Sequence, residues 1–257
     1  MVELNYKEFG NKDNDTLIIL HGLFGSLDNW QTLARKFGET YHVFTIDQRN
    51  HGKSIHTEEH SYELMAEDLN SFLEQQGLDQ VFIIGHSMGG KTLLQFMIDF
   101  PHKLKKGICV DMSYKEYQSG HDVIFDALKS VQVEKIESRN DADKILSEKI
   151  SHAGIRQFLL KNIDRTNNGS YKWKMNLKAL DNHYDSILKS IIPPIPVNLP
   201  ILFIKGEKSD YLQMDDIDDI KTYFPLAEIE NVKNAGHWIH AEQPESFYKI
   251  VIEYLKK

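Results

Sequence analysis

Five short apolar runs punctuate the chain: TLIIL (16–20), HVFTID (42–47), VFIIG (81–85), KKGICVDM (105–112) and ILFIKG (201–206). They are rich in β-branched and aromatic residues and too short for core helices, so they read as strands. None alternates cleanly between apolar and polar positions, as a strand with one wet face would. Both faces must therefore be covered. The cover lies between the runs, where helical periodicity appears at 29–38, 61–76, 88–99, 214–224 and 244–256. In the second of these, Ser61 supplies a start signal, and Leu64, Met65, Leu69 and Phe72 form an apolar stripe. Strand and helix in alternation predict an α/β fold with a mainly parallel sheet flanked by helices. The opening segment VELNYKEFG, followed by turn-rich NKDND, predicts an edge strand entering a hairpin.

The rhythm stops at residue 113 and resumes near 197. The intervening stretch is helical and polar, with a loop signal at TNNGS (166–170) and no convincing strand. It closes on PPIPVNLP (193–200), which holds four of the seven prolines and cannot be a central strand or a helix interior. The expectation is a core built from 1–112 and 197–257, with 113–196 inserted as a helical lid.

Composition narrows the function. At 257 residues, one sizeable core is affordable. The net charge of −8 leaves no basic stripe for phosphates, which argues against a nucleic-acid partner. The single cysteine, Cys109, excludes an internal disulfide and a cysteine-based metal site, and its apolar setting predicts an inert, buried thiol. The start MVELNYKEFG does not read as a signal peptide, and no apolar run nears the roughly 20 residues that span a bilayer. The expectation is a soluble, cytoplasmic protein without an integral membrane segment.

Chemistry concentrates at Gly85-His86-Ser87-Met88-Gly89. This matches G-x-S-x-G between a strand and a helix, the context in which the motif forms a strained turn that presents a serine nucleophile. Gly85 and Gly89 keep the turn free of side chains. A serine needs a base, and His237 in NAGHWIHAEQPESF lies between the expected strand AEIENV and the last helix. His240 is its nearest rival. His86 diverges from Ser87 and reads as a packed histidine, while His56, His60 and His152 read as solvated. An oxyanion needs two backbone N–H donors. Met88 follows the nucleophile, and Leu23 in LHGLFGSLDNW follows an earlier strand; these are the expected pair. Phe24, Phe125, Phe158, Trp173 and Trp238 are candidates to line a substrate cleft, although the lid's own packing against the sheet is the better account of most residues in the insertion.

HGLFGS, DQRNHGKS (47–54), GHSMGGK and NAGHW occur in this order, and together they resemble the α/β-hydrolase superfamily over essentially the whole chain. HGLFGSLDNW, the lysine of GHSMGGK, VDMS and FLLKNID with a following tryptophan are similar to YbfF-type esterases. The resemblance implies an α/β-hydrolase fold with nucleophile, acid and histidine in chain order, and DQRNHGKS in a structural part. It bears most on the acid. Most of the superfamily carries it as G-x-x-D after the strand that follows the lid, where this chain has Ser209. The YbfF group implies Asp111 instead, with Ser209 as a fourth member; Asp210, one residue along, stays open. The activity implied is a serine carboxylesterase taking small short- to medium-chain acyl esters or thioesters through an acyl-enzyme on Ser87, without metal or organic cofactor. Other chemistry on the same fold stays open, either a carbon–carbon bond hydrolase or lyase or a cofactor-free haloperoxidase. So does a catalytically silent ligand-binding member.

Overall fold

The computed structural model describes residues 2–257. Its strands are β1 (Tyr6–Phe9), β2 (Thr16–Leu20), β3 (His42–Ile46), β4 (Val81–His86), β5 (Leu104–Val110), β6 (Ile163–Arg165), β7 (Tyr171–Trp173), β8 (Ile201–Gly206) and β9 (Ala227–Val232). Its α-helices are α1 (Gln31–Phe37), α2 (Tyr62–Gln75), α3 (Met88–Asp99), α4 (Asp122–Ser130), α5 (Arg139–Ser147), α6 (Ala153–Leu160), α7 (Leu177–Asn182), α8 (Tyr184–Leu188), α9 (Ile217–Tyr223), α10 (Ile239–Glu242) and α11 (Pro244–Lys256). Seven strands form one sheet in the order β1-β3-β2-β4-β5-β8-β9, parallel throughout except for β1.

The uninterrupted apolar runs are explained by two cores, one on each sheet face. Ile18, Leu20, Phe44, Ile83 and Phe203 pack with Met65, Leu69 and Phe72 of α2 and Leu93 and Phe96 of α3. Leu17, Ile19, Val43, Ile84 and Ile204 pack with Leu33 and Phe37 of α1 and Phe247 and Val251 of α11. Each such side chain contributes about 1.5–3 kcal/mol when fully buried. The Ser61 hydroxyl caps α2 by accepting from Leu64 N–H at 3.3 Å. This places the C-terminal ends of β2, β3, β4, β5, β8 and β9 along one sheet edge, where ligand sites of open α/β sheets form.

Two local expectations need correction. β1 is an edge strand, but it pairs antiparallel with β3, Tyr6 opposite Ile46, rather than forming a hairpin with β2. The reason is positional: β2 already pairs on both sides, with β3 and β4, and has no free edge. The segment between β5 and β8 carries α4–α8, as its polar helical pattern suggests, but also the hairpin β6–β7 around TNNGS. Strands of three residues are too short to display a period. Residues 191–200 form neither helix nor strand, in keeping with their prolines. Among the described residues, no helix is long and apolar enough to cross a membrane.

Candidate active site

Ser87 sits between β4 and α3 at φ 53°, ψ −118°, a region that side chains with a Cβ seldom occupy. The turn is possible because its neighbours are bare. A Cβ on Gly85 would lie 2.1 Å from Gly89 O, and one on Gly89 would lie 2.6 Å from Leu20 O. The sheet then sets what stands beside Ser87. Its N–H donates to Val110 O at 3.0 Å, and the Asp111 N–H in turn donates to Ile204 O at 2.8 Å. Asp111 also has a positive φ, 48°, as does Phe24 at 58°. Three strained residues on different loops at one sheet edge mark a site held in place by its surroundings.

The structure brings Asp111, Ser209 and His237 together. His237 Nδ1 lies 2.7 Å from Asp111 Oδ2, so the ring carries its proton there and Nε2 keeps a lone pair. The Ser209 hydroxyl donates to the same Oδ2, and Gly206 N–H donates to Oδ1 at 3.0 Å. Asp111 is fully buried, and these three donors make a buried carboxylate tolerable. Asp210 does not join them. Its side chain is exposed and makes no hydrogen bond or ion pair among the described residues. His240 does not compete either. It stacks on Trp30 at 4.1 Å, and burial lowers it to about 3.

His237 is held from several sides. Tyr211 stacks on its ring at 4.1 Å, and His86 Nε2–H donates to its carbonyl at 2.9 Å. Glu242 accepts from Gly236 N–H at 2.7 Å and from Trp238 N–H at 3.3 Å, ordering the loop on both sides. Burial drives His86 well below its ordinary pKa, with His240 and His237 adding to the effect. Among the described residues, no hydrogen bond joins Ser87 Oγ to His237. Such contacts are often long before substrate binds.

The two expected oxyanion donors share one property: among the described residues, neither Leu23 N–H nor Met88 N–H has an acceptor. The groups around them do. Phe24 N–H donates to His51 Nε2 at 3.3 Å, and Gly25 N–H to Gly22 O at 2.9 Å. Gly90 and Lys91 N–H both donate to Ser87 O. Gly22 sets the close approach, since a Cβ there would lie 3.1 Å from Ser87 Cβ. The loop rests on two histidines. His21 Nδ1–H donates to Gly22 O and Nε2 accepts from Gln48 N–H; His51 Nδ1–H donates to Arg49 O. Both rings must be neutral for these bonds, and burial lowers both pKa values accordingly.

Ser87, Met88 and Leu23 open onto a mostly apolar cavity of about 210 Å³. Its other walls include Tyr62, Tyr117, Tyr184, Ile187, Leu188 and Tyr211. The five aromatic residues expected in the cleft are not among its lining. Phe24 and Phe125 are buried against each other, at 5.1 Å between rings, in the core behind it. Phe158 packs on Trp238, which flanks His237, and Trp173 lies on β7 beside His56 and Lys172. His86 is packed as the sequence suggests, whereas the tyrosines that do line the cavity, and the supporting His51, do not stand out in the sequence. Each works through a partner distant in sequence, and no local pattern announces that. His60, expected to be solvated, is buried near His51 and is lowered by burial to about 3.

The DQRNHGKS stretch orders loops. Asp47 accepts from Leu27 N–H and Lys53 N–H, and Arg49 forms a buried two-bond pair with Asp68 of α2 at 2.6 and 2.9 Å. Cys109 is buried, and burial raises its thiol pKa. Among the described residues, no group of three or more His, Cys, Asp or Glu side chains is placed to hold a metal ion.

Known proteins share this architecture. The profile of the family described as alpha/beta hydrolase fold matches residues 15–132. The sn-1-specific diacylglycerol lipase ABHD11 of Mus musculus is 37% identical over 254 residues, covering 96% of this chain and 82% of that protein. Esterase YbfF of Escherichia coli is 34% identical over 246 residues, covering 95% and 94%. A solved structure titled marine microorganism esterase superposes with a TM-score of 0.96 at 42% identity, covering 99% of this chain and all of that one.

Proposed function

The chain belongs to the α/β-hydrolase family and is a hydrolase acting on esters, and on that premise we propose that it is a serine carboxylesterase for short- to medium-chain acyl esters, with Ser87 as nucleophile, His237 as base and Asp111 as acid. The observation that carries this reading is the 2.7 Å bond from His237 Nδ1–H to a buried, fully bonded Asp111, on the sheet edge that presents Ser87. With Nδ1 protonated, Nε2 is the basic nitrogen. It takes the Ser87 proton as the oxygen attacks the ester carbonyl. Leu23 and Met88 N–H groups receive the oxyanion, and Asp111 stabilises the imidazolium. His237 then protonates the leaving alcohol, and water repeats the cycle on the acyl-enzyme. Ser209 holds Asp111 in place.

The cavity beside Ser87 supports the substrate part of the reading: its walls are mostly apolar, with Leu23, Met88, Ile187 and Leu188 among them, which suits the acyl chain of an ester. Extension to thioesters belongs to the same proposal, since the attack and the oxyanion are alike. The segment between β5 and β8 supplies Tyr117, Tyr184, Ile187 and Leu188 to the cavity wall, which supports its reading as a lid. Turnover of p-nitrophenyl esters from acetate to dodecanoate, and of matching thioesters, tests the proposal. A maximum of kcat/KM at four to eight carbons is expected. Turnover confined to long chains would overturn the chain-length assignment, and no turnover at all would overturn the esterase.

A further inference from the structure

Lys91 lies one helical turn after Ser87 and is fully buried. Among the described residues, no carboxylate bonds to it. Its Nζ donates instead to Leu188 O at 3.0 Å and to Lys189 O, at the end of α8. It sits 4.9 Å from the centre of the Tyr117 ring and 5.8 Å from that of Tyr62. Tyr62 O–H donates to Ile187 O at 2.8 Å, and Tyr117 N–H to Leu188 O at 2.9 Å. Three consecutive carbonyls, from Ile187 to Lys189, are therefore gripped by side chains of α2 and α3. The last carbonyls of a helix have no partner within it, and a cationic donor suits that end. Burial lowers Lys91 to about 7, yet even the neutral amine keeps two N–H groups, one for each carbonyl.

Ile187 and Leu188 are also cavity wall, shared with Tyr62 and Ser87. The geometry points to Lys91 and Tyr62 as the residues that set acyl-chain length, by fixing the Ile187–Leu188 wall at a set distance from the nucleophile. This rests on the reading of the cavity as the acyl pocket of an esterase. Lys91 acts through the wall and is a positioning residue. Freed from the clamp, α8 yields to longer chains.

The test uses the full chain and kcat/KM for p-nitrophenyl butyrate and decanoate, normalised to the active sites counted by a fluorophosphonate. Lys91→Met removes two bonds to α8, and Tyr62→Phe removes one while keeping the ring. The decanoate-to-butyrate ratio is expected to rise about tenfold in Lys91→Met and a few-fold in Tyr62→Phe, within the range that small changes of apolar pocket space produce. General damage to the fold would lower both rates together and leave the ratio alone. If Lys91→Met does not fold, Tyr62→Phe decides. An unchanged or lowered ratio, with the parent active, overturns the clamp alone. No ester turnover by the parent overturns the esterase reading and the clamp with it.

Discussion

Asp111 and Asp210 both lie at the strand ends near Ser87, yet only one is built to assist a histidine. Asp111 is buried, receives three hydrogen bonds and aligns His237, whereas Asp210 is exposed. Asp111→Asn is expected to lower kcat by about 10⁴, because an amide leaves the imidazole in the wrong tautomer. Asp210→Asn should stay within a few-fold of the parent. Steady-state rates on one short ester check both, and the reverse ranking would make Asp210 the acid. His51 offers a second test. Its Nε2 accepts from Phe24 N–H and so supports the loop that carries Leu23. His51→Ala should lower kcat about tenfold with little change in KM, less than the about 10²–10³ expected for losing an oxyanion donor outright. A loss confined to KM would place His51 in ground-state binding instead.

At the scale of elements, the turn from β4 to α3 carries the most constraint. An alanine at residue 85 would drive its Cβ to 2.1 Å from a backbone oxygen, where no side chain can swing away. Gly85→Ala is expected to cost about 1–3 kcal/mol or more, a fall of about 2–12 °C in Tm, together with loss of Ser87 labelling. Calorimetry and fluorophosphonate labelling read the two effects separately, and an unperturbed Tm would contradict the packing at Gly85. This turn was also the most legible part of the sequence. Glycines at fixed offsets, an apolar run before them and a helical stripe after them are local signals, and residues 88–99 form the helix as expected. The partner of β1, the short hairpin β6–β7 and the lining of the cavity were not legible. Each depends on which distant segment fills a space: β3 rather than β2 beside β1, and tyrosines rather than Phe24 or Phe125 around the cavity. The choice of Asp111 lay between. The sequence supplied the candidates, and the sheet brought β5 beside β8 so that Asp111 meets Ser209 and Gly206.

The whole molecule keeps several histidines neutral by burying them. Burial lowers His60 and His240 to about 3, with Arg49 and His237 respectively adding to it, and His121 to about 4, with His237 adding to it. In the unfolded chain these groups titrate near 6.5. Between that value and the folded ones, the unfolded chain binds more protons, so stability falls as pH falls through this window. Each histidine contributes up to about 1.4 kcal/mol per pH unit there. Urea unfolding at pH 7 and pH 5 should show a lower midpoint at pH 5, and an unchanged or higher midpoint would contradict the burial of these rings in neutral form. Across the whole assembly, six strand ends converge on the edge that carries Ser87, the proposed nucleophile. Reacting the native protein with a fluorophosphonate, mapping the adduct by peptide mass spectrometry and following ester turnover in parallel tests that proposal. A single phosphonyl group per chain is expected, on Ser87, with turnover lost in the same proportion. Modification at another residue, or full turnover with Ser87 blocked, would contradict it.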